Sequence, residues 1–268
     1  MPELPEVETV VRTLEYRIKN QKINSITVNY DRLLGNCDKN EFTQRLSGQT
    51  FRTFDRRGKW LIFGLDRDVL CVHLRMEGKF FVLAPHSEPI KHSHCIFELE
   101  NYQLQYNDTR KFGRFYLYSK GEELTVLSGL GPEPWSEELT PEYLISYCKK
   151  KTTDIKSQLL DQSMIVGIGN IYANEICWDC RIDPHRPSKM ITVDEWKKII
   201  ESTQRILQRA IENKGTTIRS YTSSLGVQGE NQFNLNVYGK DVCSRCGHPI
   251  VKEQLHGRGT YYCPYCQK

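Results

Sequence analysis

Val7, Val11, Leu14 and Ile18 recur at three- and four-residue intervals, which places them on one face of a helix that starts close behind Pro2 and runs to about Lys19. From Lys22 to Ser119 the pattern changes. The runs KINSITV, TFRTF, KWLIFGL, VLCVHL, KFFVL, HCIFEL, QLQYN and RFYLYS are rich in Val, Ile, Phe and Tyr and are broken by polar and glycine positions. Short strands with turn signals between them predict a β-sandwich or barrel. Pro132, Pro134 and Pro141 interrupt that texture, so 129–141 reads as an interdomain linker. Helical spacing returns over 141–150, 154–163, 170–179 and 193–213, with the glycines of VGIGN supplying a tight turn, and 235–268 is strand-like again.

Charge and cysteine usage sharpen this reading. The net charge is +4, but residues 1–148 carry 19 Lys and Arg against 21 Asp and Glu, whereas 149–268 carry 18 against 12. A basic C-terminal half is the electrostatic footprint of a phosphate-backbone binder, with a solvated basic face as the plainer alternative. No run of about 18 apolar residues occurs, so no membrane span is expected. MPELPEVE is acidic and lacks a basic and then apolar leader, so no secretory signal is expected and the cytoplasm is the expected location. In that compartment ten cysteines point to metal ligands rather than disulfides.

Cys243-x2-Cys246 and Cys263-x2-Cys266 are separated by sixteen residues, a zinc spacing in which each short turn sets two thiolates on one side. Four protein ligands leave no open position for substrate, so one structural zinc ion is expected. Cys177 and Cys180 form a third CxxC, but Trp178 and Asp179 continue a helical run and no further pair is available, which favours ordinary core packing.

MPELPEVET, RRGKWL, HLRMEGKF, DTRKFGR, LLDQSMIVGIGNIYANE and the terminal CSRCG and GRGTYYCPYCQK together resemble formamidopyrimidine-DNA glycosylases, in that family's order and along the whole chain. The resemblance implies an α+β protein with an N-terminal helix on a two-sheet β-sandwich (1–128), a helical helix-two-turn-helix domain with a lesion-capping loop (142–234) and a zinc β-hairpin (235–268). It also implies a monomer acting on double-stranded DNA that contains oxidised purines or abasic sites, lying in the cleft between the domains. The related endonuclease VIII branch, specific for oxidised pyrimidines, usually begins with glycine where this chain has Leu4 and lacks the Met, Arg, Phe set named below. A catalytically inactive DNA-binding homologue is the remaining alternative, and the presence of Pro2, Glu3 and Lys59 argues against it.

The resemblance assigns roles residue by residue. Removal of Met1 leaves Pro2 with a secondary amine of pKa about 8 or below, partly neutral near physiological pH and so a nucleophile for the sugar C1′. Glu3 matches the general acid and base, Glu6 a second carboxylate and Lys59 a lysine that assists elimination. Read alone, Pro2, Glu3 and Glu6 would be ordinary helix-start residues, and Lys59 a solvated turn. Met76, Arg110 and Phe112 match the set that fills the void left by an extruded nucleotide. Without the resemblance, Met76 and Phe112 would be assigned to the core. His73, His92, Asn170, Tyr238 and Arg258 match phosphate contacts, although either histidine could instead be structural. Ser163 departs from the Lys or Arg that many family members carry after LLDQ, and 223–233 resembles the loop that closes over the flipped base.

Overall fold

The structure is a computed structural model describing residues 1–216 and 229–268, which divide into two compact units: Met1–Ser128 with Lys214–Gly229, and Gly129–Asn213 with Glu230–Lys268. Gly215 and Thr216 meet Glu6 within the first unit. Residues 223–228 of the expected capping loop lie outside the described residues.

The first unit begins with α1 (Leu4–Ile18), whose Leu4, Val7, Val10, Val11, Leu14 and Ile18 are all buried on one side. The eight apolar runs form eight strands: β1 (Ile23–Val28), β2 (Thr53–Arg57), β3 (Trp60–Gly64), β4 (Asp68–His73), β5 (Lys79–Leu83), β6 (Ser93–Leu99), β7 (Gln103–Asn107) and β8 (Arg114–Ser119). They pair antiparallel into two four-stranded sheets, ordered β1-β6-β7-β5 and β2-β3-β4-β8. Interleaved aromatic rings, among them Phe51, Phe63, Phe80, Phe97, Tyr106 and Phe115, fill the core. A short helix, α2 (Lys39–Leu46), was missed by the apolar periodicity because only Phe42 and Leu46 of it are buried. Its sequence signal was the cap: the Asp38 side chain accepts from the Glu41 amide at 2.9 Å.

The second unit packs α3 (Pro141–Cys148) and α5 (Asn170–Asp179) against the amphipathic α6 (Val193–Glu212), which buries Trp196, Ile199, Ile206 and Leu207. Helical spacing over 154–163 yields only α4 (Ile155–Leu159). Asp161 and Gln162 end it by satisfying the backbone of the two turns that follow. Asp161 accepts from the Ser163 amide, and Gln162 bridges the Leu160 and Ile168 carbonyls and the Gly167 amide. The helix, two turns and helix are therefore spelled by LLDQSMIVGIGN. Within 235–268 only β9 (Val251–Leu255) and β10 (Arg258–Tyr262) are strands. Their two-residue turn, His256-Gly257, has positive φ at both positions, the geometry that matches strand twist in a tight hairpin.

Candidate active site and nucleic-acid interface

At the amino terminus Pro2 is buried, and Glu3, Glu6, Lys59 and His73 are 3, 2, 6 and 8 % exposed. Such burial of charge has a cost unless the groups are satisfied, and the connections are specific. Glu6 accepts from the Glu3 amide at 2.8 Å through one carboxylate oxygen and from the Thr216 amide at 2.8 Å through the other. Gly215 makes the second contact possible: its φ is +80°, and a Cβ there would lie 2.9 Å from Glu6 Oε1. Glu6 thus ties the start of α1 to a segment 210 residues away in sequence.

Lys59 follows the Gly58 turn between β2 and β3. Arg56, on β2, pairs with Glu8 of α1 at 2.9 Å and donates to the Gly58 carbonyl at 3.1 Å, so the lysine hairpin is clamped to the helix. Burial opposes ionisation of Glu8, but the hydrogen bonds from Arg56 and Arg12 outweigh it and hold its pKa below the usual value. At Met1 the terminal amine is depressed, first by burial and further by Lys59, while Glu3, Glu6 and Glu77 act in the opposite direction. The amino terminus, the three carboxylates and Lys59 therefore share one electrostatic environment.

His73 ends β4 with its ring edge-on to Trp60, 4.8 Å between centroids. Burial, then the charges of Arg75 and Lys59, push its pKa down to about 3, so the ring is neutral. Its Nδ1 accepts from the Arg75 amide at 3.0 Å. That bond places the proton on Nε2, which is then a hydrogen-bond donor.

Three loops carry the expected void-filling residues and His92. Met76 sits half-buried between β4 and β5, and Arg110 and Phe112 are exposed between β7 and β8, with the Arg110 guanidinium 4.7 Å from the Phe112 ring centre. Sequence reasoning gave no role to Asp108, which is fully buried beneath that loop. Its carboxylate accepts from the amides of Arg110, Phe112 and Gly113 at 3.0, 2.9 and 2.8 Å. The aspartate in DTRKFGR was the available signal, since Asx side chains bond amides two residues on. His92 has an exposed side chain and φ +70°, and its carbonyl accepts from the Asp108 amide.

In the second unit, Asn170 is the first residue of α5, behind the Gly169 cap. Its Nδ2 donates to the Gly259 carbonyl at 3.0 Å, and Asn174 Oδ1 accepts from the Tyr261 amide at 2.7 Å, so α5 grips β10 at alternate residues. Glu175, buried and not anticipated, accepts from the amides of Asn236, Val237 and Tyr238, each at 2.9 Å. It fixes the segment that carries Tyr238, whose ring tilts against Tyr261 at 4.8 Å. Arg258 is exposed at the head of β10. Ser163 is exposed in the first of the two turns.

The sulfurs of Cys243, Cys246, Cys263 and Cys266 lie within 4.8 Å of one another, with Cys246 and Cys263 3.5 Å apart and Cys243 and Cys266 3.9 Å apart. Tetrahedral zinc with Zn–S of about 2.3 Å requires sulfurs about 3.8 Å apart, whereas a disulfide needs about 2.05 Å. The donor set fits one zinc ion. Trp178 Nε1 donates to Cys243 Sγ at 3.3 Å and fastens the site to α5. Cys177 is buried and Cys180 partly so, and burial pushes the Cys180 thiol up to about 12, the behaviour of packed rather than reactive thiols.

A helix on a two-sheet sandwich, a helix-two-turn-helix and a four-cysteine hairpin define the class of zinc-containing DNA glycosylases with this motif. Profiles of the formamidopyrimidine-DNA glycosylase N-terminal domain, its H2TH domain and the zinc finger found in FPG and IleRS match residues 1–115, 130–222 and 240–268. The formamidopyrimidine-DNA glycosylase of Bacillus cereus (strain ZK / E33L) is 44 % identical over 274 residues, covering 100 % of this chain and 99 % of the relative. That of Ligilactobacillus salivarius is 42 % identical with the same coverage. A crystal structure of a Lactococcus lactis FPG mutant in complex with a Fapy-dG containing DNA superposes with a TM-score of 0.94 at 40 % identity over 100 % of both chains. A complex between the Lactococcus lactis Fpg and an abasic site containing DNA gives 0.93 at 40 % identity over 99 % of each. The chain belongs to the formamidopyrimidine-DNA glycosylase family. No helix among the described residues is long and apolar enough to cross a membrane.

Proposed function

We propose that this chain removes oxidised purines from duplex DNA and then cuts the backbone, with the amine of Pro2, exposed by loss of Met1, as the nucleophile for both steps. The observation that carries the mechanism is the buried group of Glu3, Glu6 and Lys59 around the amino terminus. A neutral Pro2 amine attacks C1′, the bond from C1′ to the base breaks with its electron pair leaving on the base, and the proton shed by the amine nitrogen neutralises the departing base. Glu3 protonates the sugar ring oxygen as the ring opens, leaving an iminium between Pro2 and C1′. The iminium acidifies the C2′ proton, whose loss expels the 3′ phosphate, and a second elimination expels the 5′ phosphate. Lys59, beside the amine, steadies the phosphate being released. Glu6 acts by holding the Glu3 backbone and Thr216.

DNA is held by contacts of two kinds. His73 through Nε2, with His92, Asn170, Tyr238 and Arg258, takes backbone phosphates, which set affinity and register. Met76 and Phe112 wedge into the stack vacated by the damaged nucleotide, and Arg110 addresses the orphaned base. The four-cysteine site shapes the hairpin that presents Arg258 and takes no part in the chemistry. The place of action is the cytoplasm, where thiolate ligands stay reduced.

The test is borohydride trapping on duplexes carrying 8-oxoguanine or an abasic site. A covalent adduct should form, and mass spectrometry should place it on the N-terminal peptide beginning at Pro2. Attachment at Lys59, or active incision without any adduct, overturns the assigned nucleophile.

A further inference from the structure

Met76 sits on one loop and Arg110 with Phe112 on another, but strand register brings the two loops together. Lys79, at the start of β5, lies opposite Asn107, at the end of β7, so the β4–β5 turn and the β7–β8 loop leave the sheet side by side. Tyr106 stands at that junction, fully buried. Its ring packs on Phe80 and Phe115 at 5.2 and 4.8 Å between centroids, contacts that a phenylalanine would make equally well. The hydroxyl is the extra group, and burying it carries a cost that core packing does not require. It donates to Asp108 Oδ2 at 3.4 Å, the oxygen that also accepts from the Phe112 and Gly113 amides. Two glycines leave room for it. A Cβ at Gly78 would stand 2.3 Å from the Tyr106 hydroxyl oxygen, and one at Gly113 would stand 1.7 Å from it. Gly78 closes the turn of Met76, its amide donating to the Leu74 carbonyl at 3.0 Å, and Gly113 ends the loop of Arg110 and Phe112.

We propose that Tyr106 is a positioning residue that couples the two void-filling loops: its hydroxyl, held between Gly78 and Gly113, fixes the spacing of Met76 from Arg110 and Phe112. The wedge and the reader of the orphaned base then enter the duplex as one preset piece, so that their mutual ordering is complete before DNA arrives. The inference rests on the DNA-repair reading above. It gives the buried hydroxyl a task that lies outside the core.

The experiment is a double-mutant cycle in the full-length, zinc-loaded protein. Single-turnover excision from an 8-oxoguanine duplex at saturating enzyme is measured for Met76→Ala, Phe112→Ala and the two combined, first with Tyr106 present and then in Tyr106→Phe. With Tyr106 in place, the combined loss should differ from the product of the single losses by about five- to twentyfold, as for residues that share a partner, and in Tyr106→Phe the difference should shrink to about twofold or less. Amide exchange supplies a readout that needs no activity. The Gly78, Phe112 and Gly113 amides should exchange together about five- to tenfold faster in Tyr106→Phe, the effect of one buried hydrogen bond, while β2 and β3 stay unaltered. Coupling of equal size with and without the hydroxyl means that Tyr106 serves the core only and overturns the proposal, as do independent losses in the presence of Tyr106 or faster exchange confined to one loop. If Tyr106→Phe melts below the assay temperature, Gly113→Ala, which keeps the tyrosine and displaces its hydroxyl, must show the same loss of coupling. A wild type that does not excise 8-oxoguanine refutes the functional reading itself, and the exchange result then judges Tyr106 separately.

Discussion

Arg110, on the loop between β7 and β8, and Arg258, at the head of β10, are both exposed, yet the segments that carry them are anchored by opposite means. The loop carrying Arg110 leans on a single buried carboxylate: Asp108 collects three backbone amides from Arg110 to Gly113. Beneath it lies the aromatic core of the sandwich, with Tyr106 and Phe115 fully buried. The hairpin carrying Arg258 has no such floor. Along β9 and β10 only Thr260 is buried, and the local apolar cluster is limited to Trp178, Val237, Cys243 and Cys263 with a few partly buried neighbours. A module this small cannot bury enough surface to hold itself, so it draws on a metal site, the Asn170 and Asn174 grips and the Glu175 carboxylate. Presenting one arginine takes one ionic anchor over a large core and several anchors without it.

Removing the metal tests this contrast most severely. Zinc binding to such sites is worth about 10–16 kcal/mol in small peptides and is inseparable from their folding. Chelation, or Cys243→Ser, should weaken DNA affinity by at least about a hundredfold and abolish amide protection in β9 and β10, leaving protection in β2 to β8 intact. Hydrogen exchange and fluorescence anisotropy on one sample read both effects. Normal affinity in a demonstrably zinc-free protein would sink the idea.

A smaller effect is expected from Asp108→Asn, which keeps the shape of the side chain but removes its charge and turns an NH2 group toward amides that need an acceptor. The cost should be about 2–4 kcal/mol, confined to the first unit, because charge-assisted hydrogen bonds are lost and a buried donor is left facing donors. Preference for one base opposite the lesion should fall, since Arg110 is no longer held, while cleavage at an abasic site changes less. Melting curves, together with incision opposite cytosine and opposite adenine, measure it. Unaltered opposite-base preference in a destabilised protein would show that Asp108 serves the core and not Arg110.

The smallest effect concerns pH and the hairpin alone. His185 bonds Asp183 at 2.6 Å through Nδ1 and the Glu253 carboxylate of β9 through Nε2, beside the Tyr262 ring. Burial opposes its charge, but the two carboxylates outweigh burial and raise its pKa. A raised histidine stabilises the fold fully below its ordinary value of about 6.5, and that contribution fades as pH climbs through the higher folded value. Because the pair is largely solvent-screened, its worth is about 1 kcal/mol or less. Exchange protection in β9 should therefore fall a few-fold on going from about pH 6 to pH 9, and His185→Gln should show a flatter profile over that range. Equal slopes for the two proteins would remove the ion pair from the set of anchors.

Much of this was legible in the chain itself. Eight apolar runs became eight strands because alternation is a local property that a backbone of fixed pleat reads directly. The zinc ligands were legible because two CxxC turns need little beyond their own spacing. The motifs around Pro2, Lys59 and VGIGN carried the family and with it the proposed chemistry.

What the sequence left open depended on partners far along the chain. Glu6, read alone, is an ordinary helix-start residue, and Glu175 carries no signal of its own, until packing brings them to Thr216 and to the Asn236–Tyr238 amides. The ten-residue spacing over 154–163 shortened to five residues because Asp161 and Gln162 satisfy the turns in place of continuing the helix. Periodicity along a chain determines which side of an element is dry. Which buried carboxylate or ammonium meets which amide is decided only when distant segments close on one another, because a polar group can be buried only where its hydrogen bonds are completed.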